Sequence, residues 1–295
     1  MSARPRRSVL FMPGSNARAL EKARGLPADA LIFDLEDSVA PDAKDAARQA
    51  VAAAVGQGGY GGRELILRVN GLDTQWAGDD LRAAARMKLD AVLLPKVENA
   101  NDPRRAEALL ISAGASKDLG LWCMMETARA ILHAEAIAAS TPRLRALVMG
   151  TADLSKELQA EETPLREPMI TALGLIVLAA RAHGLALLDG VFFDLDDENG
   201  FERECRQGRA LGFDGKTLIH PKTISAANAV FSPSAAELER ARRVIAAHDA
   251  AASKGQGVAV LDGRLVERLH VEAARRVLDL ASAIASLEQG LGARV

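Results

Sequence analysis

At 295 residues, with 49% hydrophobic, 26% charged and only 3% aromatic residues, the chain has the length and make-up of one α/β barrel of roughly 250 residues plus an extension. Its formal net charge of −2 leaves no electrostatic footprint for nucleic acid, and no apolar run approaches the roughly 20 residues of a bilayer span. A small molecule is therefore the expected partner, with no nucleic acid and no membrane.

The chain opens "MSARPRRSVLFMPG", basic but with an apolar run too short for a signal peptide. Cys123 and Cys205 stand apart without CxxC spacing. Both features point to a cytoplasmic protein whose thiols are small buried hydrophobes. Short apolar runs then recur along the chain: "SVLFMPG" from Ser8, "ALIFDLED" from Ala30, "ELILRVNG" from Glu64 and "AVLLPKVE" from Ala91. They continue as "LWCMMET" from Leu121, "ALVMGTAD" from Ala146, "LALLDGVF" from Leu185 and "GKTLIHP" from Gly215. Between them lie "NARALEKARG", "PDAKDAARQAVAAAV" and "ETARAILHAEAIAAS", rich in Ala and Leu at helical period. Continuous apolar strands alternating with helices predict a parallel sheet under helices, and eight such units predict a closed (β/α)8 TIM barrel over residues 1–231. The remainder, 232–295, reads as a long helix, two short strands around "LDGR" and a final amphipathic helix, a C-terminal extension shaped like a lid.

In such barrels chemistry sits at the C-terminal ends of the strands. Those ends read Pro13-Gly14, Asp34/Glu36/Asp37, Arg68/Asn70, Lys96/Glu98, Glu126, Asp153, Asp189 and His220, nearly all polar. Glu126 and Asp153 end the fifth and sixth runs and are expected as neighbours on the rim. Two hard oxygen donors without Cys or His beside them suit Mg²⁺ or Mn²⁺, which take one or two carboxylates and fill the rest with water and substrate oxygens. The rival reading makes each a cap of the helix that follows. Arg68 cannot deprotonate, so its expected task is to hold a carboxylate or an oxyanion. Asp34 and Glu36 share one strand face, and Glu36 is a candidate partner for Arg68. Asp37 or Ser38 reads equally as a helix N-cap. Lys96 at a strand end keeps a Schiff-base aldolase open, although it is flanked by Glu98 and reads equally as neutralised in a structural ion pair.

The segments "RSVLFMPGSNARALEKARGLPADALIFDLEDSVAPDAKDAAR", "LRVNGLDT", "LLPKVE", "METARAI", "MGTADL" and "GFDGKTLIHPKTI" resemble, in order, the citrate lyase β-subunit-like and malyl-CoA lyase branch of the HpcH/HpaI aldolase family. The resemblance implies a TIM barrel, Mg²⁺, a CoA thioester substrate and cleavage or formation of a carbon–carbon bond beside an acyl-CoA. It implies that Glu126 and Asp153 are the metal ligands and Arg68 the catalytic, substrate-binding arginine. Phe11, Arg18, Lys22, Ile219 and His220 fall where the family contacts CoA or substrate. In malyl-CoA lyases a lid aspartate, in a pattern like "DGKMID", closes over a neighbouring subunit. This chain has "DGRLVE", so Glu267 stands at that position and Asp262 forms the turn.

The expected reaction is a Mg²⁺-dependent Claisen-type cleavage of a 3-hydroxyacyl-CoA such as malyl-CoA or citramalyl-CoA. Glu267 is the candidate for proton transfer, and Glu36 is a further catalytic candidate. Arg68 would stabilise developing charge beside the metal. A Mg²⁺-dependent 2-keto acid aldolase, a malyl-CoA thioesterase and a non-catalytic CoA-ester-binding subunit are the alternatives. A lid acting in trans implies a homotrimer or homohexamer.

Overall fold

A computed structural model describes residues 4–253 and 255–292, which form two compact units, one spanning Arg6–Phe231 and one in which residues 4–5 join the chain from Ser232 onward. In the first, eight parallel strands close in sequence order into a barrel, β1-β2-β3-β4-β5-β6-β7-β8. The chain alternates β1 Ser8–Pro13, α1 Ala17–Lys22, β2 Ala30–Asp34, α2 Lys44–Gln57, β3 Glu64–Arg68, α3 Ala77–Ala84, β4 Ala91–Leu94 and α4 Asn101–Ser112. It continues with β5 Gly120–Met125, the short α5 Ala128–Leu132 and α6 Ala134–Ala138, β6 Leu144–Met149, then α7 Thr151–Leu158 and α8 Ile170–Ala182. β7 Ala186–Asp189, α9 Glu198–Leu211, β8 Gly215–Leu218 and α10 Ile224–Phe231 complete the ring. The fold is the predicted (β/α)8 barrel.

Period-2 alternation along each strand sorts side chains between two cores. Val9, Ala30, Ile32, Ile66, Ala91, Leu93, Trp122, Met124, Ala146, Val148 and Leu188 fill the barrel interior. Their sequence neighbours, among them Leu10, Leu31, Phe33, Leu67, Val92, Cys123 and Leu187, face the helices instead. Both faces are buried, which is why the strands read as unbroken apolar runs. Cys123 and Cys205 are free and buried, as expected of thiols that only pack. Among the described residues no helix is long and apolar enough to cross a membrane.

The same alternation decides which strand-end charges face the barrel mouth. Asp34 and Arg68 are partners in the β2–β3 register, and they share the inward parity of Ile32 and Ile66. Asp189 has the opposite parity and faces the helices. There Lys216 of β8, fully buried, donates to Glu204 Oε1 of α9 (2.6 Å) and to the carbonyl of Gly190 (2.5 Å), and approaches Asp189 Oδ2 at 3.4 Å. Arg166 Nη1 reaches Asp189 Oδ1 at 2.8 Å. Of the strand-end residues read as one rim, Asp189 therefore belongs to a buried four-charge network outside the barrel, not to its mouth.

Three local expectations change. The stretch 126–140 is two helices broken at His133, whose ring Nδ1 lies 2.9 Å from the carbonyl oxygen of Glu98. Neither Asp37 nor Ser38 caps α2, which starts later at Lys44; Asp34 instead accepts the backbone N–H groups of Glu36 and Ser38. Asp153 is not at a strand end but in the first turn of α7.

The second unit consists of α11 Ala235–Ala252, a hairpin of β9 Ala259–Leu261 and β10 Arg264–Val266, and α12 Arg268–Gly292. A capping box between Ser234 and Glu237 starts α11. Asp262 (φ 51°) and Gly263 (φ 72°) make the two-residue turn, a backbone with both central φ positive that "DG" supplies best. Ala241, Val244, Ala259, Val266, Val271 and Ala274 form its small core. Val260, Leu265 and Leu269 remain more than half exposed.

Candidate active site

A cavity of about 400 Å³ opens at the C-terminal mouth of the barrel. Its wall carries Phe11, Asp34, Arg68, Met124, Glu126, Asp153, Thr217 and Ile219, together with Met149, Val191 and Phe193. One side is charged and the other apolar.

On the charged side Arg68 is 8% exposed and held as a fork: Nε donates to Asp34 Oδ1 (2.6 Å) and Nη2 to Asp34 Oδ2 (2.7 Å). Nη1 stands 2.7 Å from Glu36 Oε2, and the guanidinium lies 4.9 Å from the Phe11 ring centroid. The sequence paired Arg68 with Glu36; the structure has both, but Asp34 takes the bidentate bond. Burial alone would raise the Asp34 pKa, yet the Arg68 hydrogen bond and charge bring it below its usual value. Glu36 goes the other way. Burial pushes it up to about 7; the Arg68 charge pulls against this without overcoming it, and Asp37 and Glu126 add like charge. Its Oε2, although within ion-pair distance of Arg68, lacks an aligned hydrogen bond.

Across the cavity Glu126 follows β5 directly and is 1% exposed. Its Oε1 accepts the backbone N–H of Lys96 at 2.6 Å. Lys96 Nζ donates to Asp153 Oδ2 at 2.6 Å and lies 3.6 Å from Glu126 Oε1. The capping alternative fails for Glu126, since Thr127 caps α5 through Ala130 N–H. The two carboxylates instead converge on one cation, the Lys96 ammonium. Burial would lower the Lys96 pKa, but Asp153 and Glu126 raise it, so the residue is an ammonium and not the free amine that a Schiff-base nucleophile needs. Glu126 is shifted up, burial being the largest cause. Gly150, after β6, packs so closely that an added Cβ would collide with Glu126 Cβ; only glycine lets α7 bring Asp153 this near.

Among the described residues no cluster of three or more Asp, Glu, His or Cys side chains is placed to hold a metal. The Glu126–Asp153 pair fits a divalent cation of the Mg²⁺ kind nonetheless. Both are hard donors, a cation already bridges them, and such ions complete their shell with water and substrate. The other expected residues divide. Phe11 and Ile219 line the cavity, whereas Arg18 and Lys22 are exposed on α1 and absent from its wall. His220 is exposed and uses Nδ1 to accept the Lys222 backbone N–H. Glu267 lies in the second unit, directly before α12, with its N–H donated to His270 Nδ1. The sequence passed over Met124, Val191 and Phe193, whose apolar character reads as core or loop until the barrel closes around them.

An eight-stranded parallel barrel with an arginine and two converging carboxylates at its C-terminal mouth defines an acid- and cation-equipped barrel of the enzyme type. The model for HpcH/HpaI aldolase/citrate lyase matches residues 7–221, and the chain belongs to that family. It is 55% identical over 284 residues to a (3S)-malyl-CoA thioesterase of Cereibacter sphaeroides, covering 96% of this chain and 97% of the relative. It is 37% identical to an L-malyl-CoA/beta-methylmalyl-CoA lyase of the same organism, covering 96% and 97%. Among solved structures, the protein CitE of Mycobacterium tuberculosis in complex with magnesium, acetoacetate and coenzyme A superposes with a TM-score of 0.75 at 29% identity, over 96% of this chain and 100% of that one.

Proposed function

We propose that the protein hydrolyses the thioester of a short hydroxydicarboxylyl-CoA of the (3S)-malyl type, dependent on Mg²⁺. The observation that carries this reading is the convergence of Glu126 and Asp153 on one cation in the cavity that Asp34 and Arg68 also line, with Glu36 buried behind them against Arg68. The 55% identity to a malyl-CoA thioesterase moves hydrolysis ahead of the carbon–carbon cleavage that the motifs alone put first.

Glu126 and Asp153 would hold the metal, which when bound supplies Lewis acidity and a positive charge toward the acid end of the substrate. Asp34 locks the Arg68 fork, so that the remaining Nη hydrogens are fixed donors for a carboxylate or a developing oxyanion. Glu36 Oε2, with a pKa near neutrality, is the group in the barrel fitted to accept and return a proton. Met124, Met149, Val191, Phe193 and Ile219 give the thioester arm an apolar wall that limits water. Glu267 is proposed as a second acid–base group delivered to the mouth of a neighbouring copy by the hairpin; the exposed Val260, Leu265 and Leu269 beside it support a homo-oligomer in which that face is covered.

Carbon–carbon cleavage stays as the second reading, because the lyase relative also spans 96% of the chain. The two differ in products. Malyl-CoA with Mg²⁺ in H₂¹⁸O should release free CoA and malate carrying one ¹⁸O in its new carboxylate, by mass spectrometry. Glyoxylate and acetyl-CoA in place of these would establish the lyase and reject the hydrolase.

A further inference from the structure

Lys96 is the residue of the site that neither reading employs. It follows β4 with φ 52°, a left-handed backbone that non-glycine residues adopt only when their surroundings hold them there. That turn lets one residue deliver two donors to the same carboxylate pair. Its backbone N–H is fixed on Glu126 Oε1 at 2.6 Å, while its ammonium bridges Asp153 Oδ2 at 2.6 Å and Glu126 Oε1 at 3.6 Å. The two donors differ in freedom. Glu126 is buried, but the Lys96 side chain is 41% exposed, with solvent open to it.

We propose that Lys96 is a built-in counter-ion that occupies the carboxylate pair until the divalent cation displaces it. This rests on the metal reading above. Glu126 and Asp153 left alone would be two anions side by side, one buried and one half-exposed, whose repulsion drives the pair to splay. The ammonium holds the two side chains in place. A divalent cation chelated by the same oxygens would meet a positive charge at contact distance, and the two cannot share that locus. Displacement costs little order, since the flexible stem swings into water while the backbone N–H stays on Glu126 and preserves its orientation. The site is thus held open in metal-free protein at the expense of metal affinity.

The test is calorimetric titration of Mg²⁺ alone, without substrate, into wild type, Lys96→Met, Lys96→Gly and Lys96→Arg. Glycine relieves the positive φ, so one neutral variant is protected against failure to fold. The Met and Gly variants should bind Mg²⁺ about tenfold or more tightly than wild type, while Arg stays within a few-fold of it. Without Mg²⁺ the Met variant should melt below wild type, and saturating Mg²⁺ should raise its Tm by more than it raises the wild-type Tm. Neutral variants that bind Mg²⁺ no tighter, or more weakly, overturn the proposal and make Lys96 a clamp for the metal-bound state. Absence of any wild-type heat that Glu126→Gln abolishes is a different result: it removes the metal reading itself, and this proposal with it.

Discussion

Glu36 is a buried carboxyl beside Arg68, and its titration has a definite sign. Its pKa in the folded protein is raised from 4.5 to about 7 by burial. Below 4.5 both folded and unfolded chains hold the proton, and between 4.5 and about 7 only the folded chain does. Folding stability on this account falls as pH rises through that window, and the loss is complete above about 7. Glu36→Gln should therefore be more stable than wild type at pH 8, by up to about 3 kcal/mol, and show no advantage at pH 4. Urea unfolding at the two pH values checks it; equal differences at both would mean that Glu36 titrates normally. Turnover should fall in the same variant. Arg68→Lys should lose most of kcat/KM, by about 100-fold, since an ammonium cannot span both oxygens of Asp34 and still present fixed donors to the cavity. Unchanged kinetics would reduce Arg68 to a structural partner of Asp34. Glu126→Gln and Asp153→Asn should each abolish Mg²⁺-dependent turnover while leaving the far-ultraviolet dichroism of the fold intact; metal affinity unchanged in both would remove the pair from the metal site.

Among the elements, β7 and β8 carry charge where the barrel has no solvent. Lys216 and Asp189 are both fully buried, with Arg166 and Glu204 beside them. Burial alone would lower the Lys216 pKa and raise that of Asp189, but the network reverses both, keeping the lysine and the aspartate charged. Removing one member strands another: Lys216→Met should cost about 3–5 kcal/mol of stability, measured by denaturant unfolding. A cost below about 1 kcal/mol would show the cluster relaxing or hydrating. The strands themselves were legible because a parallel barrel buries both faces and writes each strand as an apolar run. What the runs could not show was the facing of a charge at their ends. Asp189 and Asp34 both end a strand, yet one meets Lys216 among the helices and the other Arg68 in the cavity, a difference set by parity at each strand end. Glu126 and Asp153 were legible as a pair. Their actual meeting point was not, because it depends on Lys96, 30 and 57 residues earlier in sequence, adopting a left-handed turn. Of the two readings the sequence leaves for Lys96, free amine or ion pair, the structure shows the ion pair, with Asp153 and Glu126 and not with the flanking Glu98.

At the level of the whole molecule, the barrel unit and the unit from Ser232 onward each have a core of their own. Glu267 belongs to the latter, and its proposed role across an interface is open to complementation. Mixed oligomers of Glu267→Gln and Arg68→Ala chains should regain activity that neither parent has, if the hairpin of one copy completes the cavity of another. Activity in the mixture no greater than the sum of the parents would confine Glu267 to its own chain or to no role at all.

The distribution of aromatic residues gives the molecule an internal optical label. Trp76, Trp122 and Tyr60 are its only tryptophans and its only tyrosine, and all lie before Ser232. Trp122 is sealed in the barrel interior, with the Arg6 guanidinium 5.4 Å from its ring centroid. Intrinsic emission thus reports on the barrel and is blind to the hairpin and its flanking helices, whereas helical ellipticity sees both. Following the two signals through one denaturation separates the melting of the two units in the unmodified chain, and a change that stabilises only the helices from Ser232 onward would move the ellipticity curve while leaving the emission curve in place.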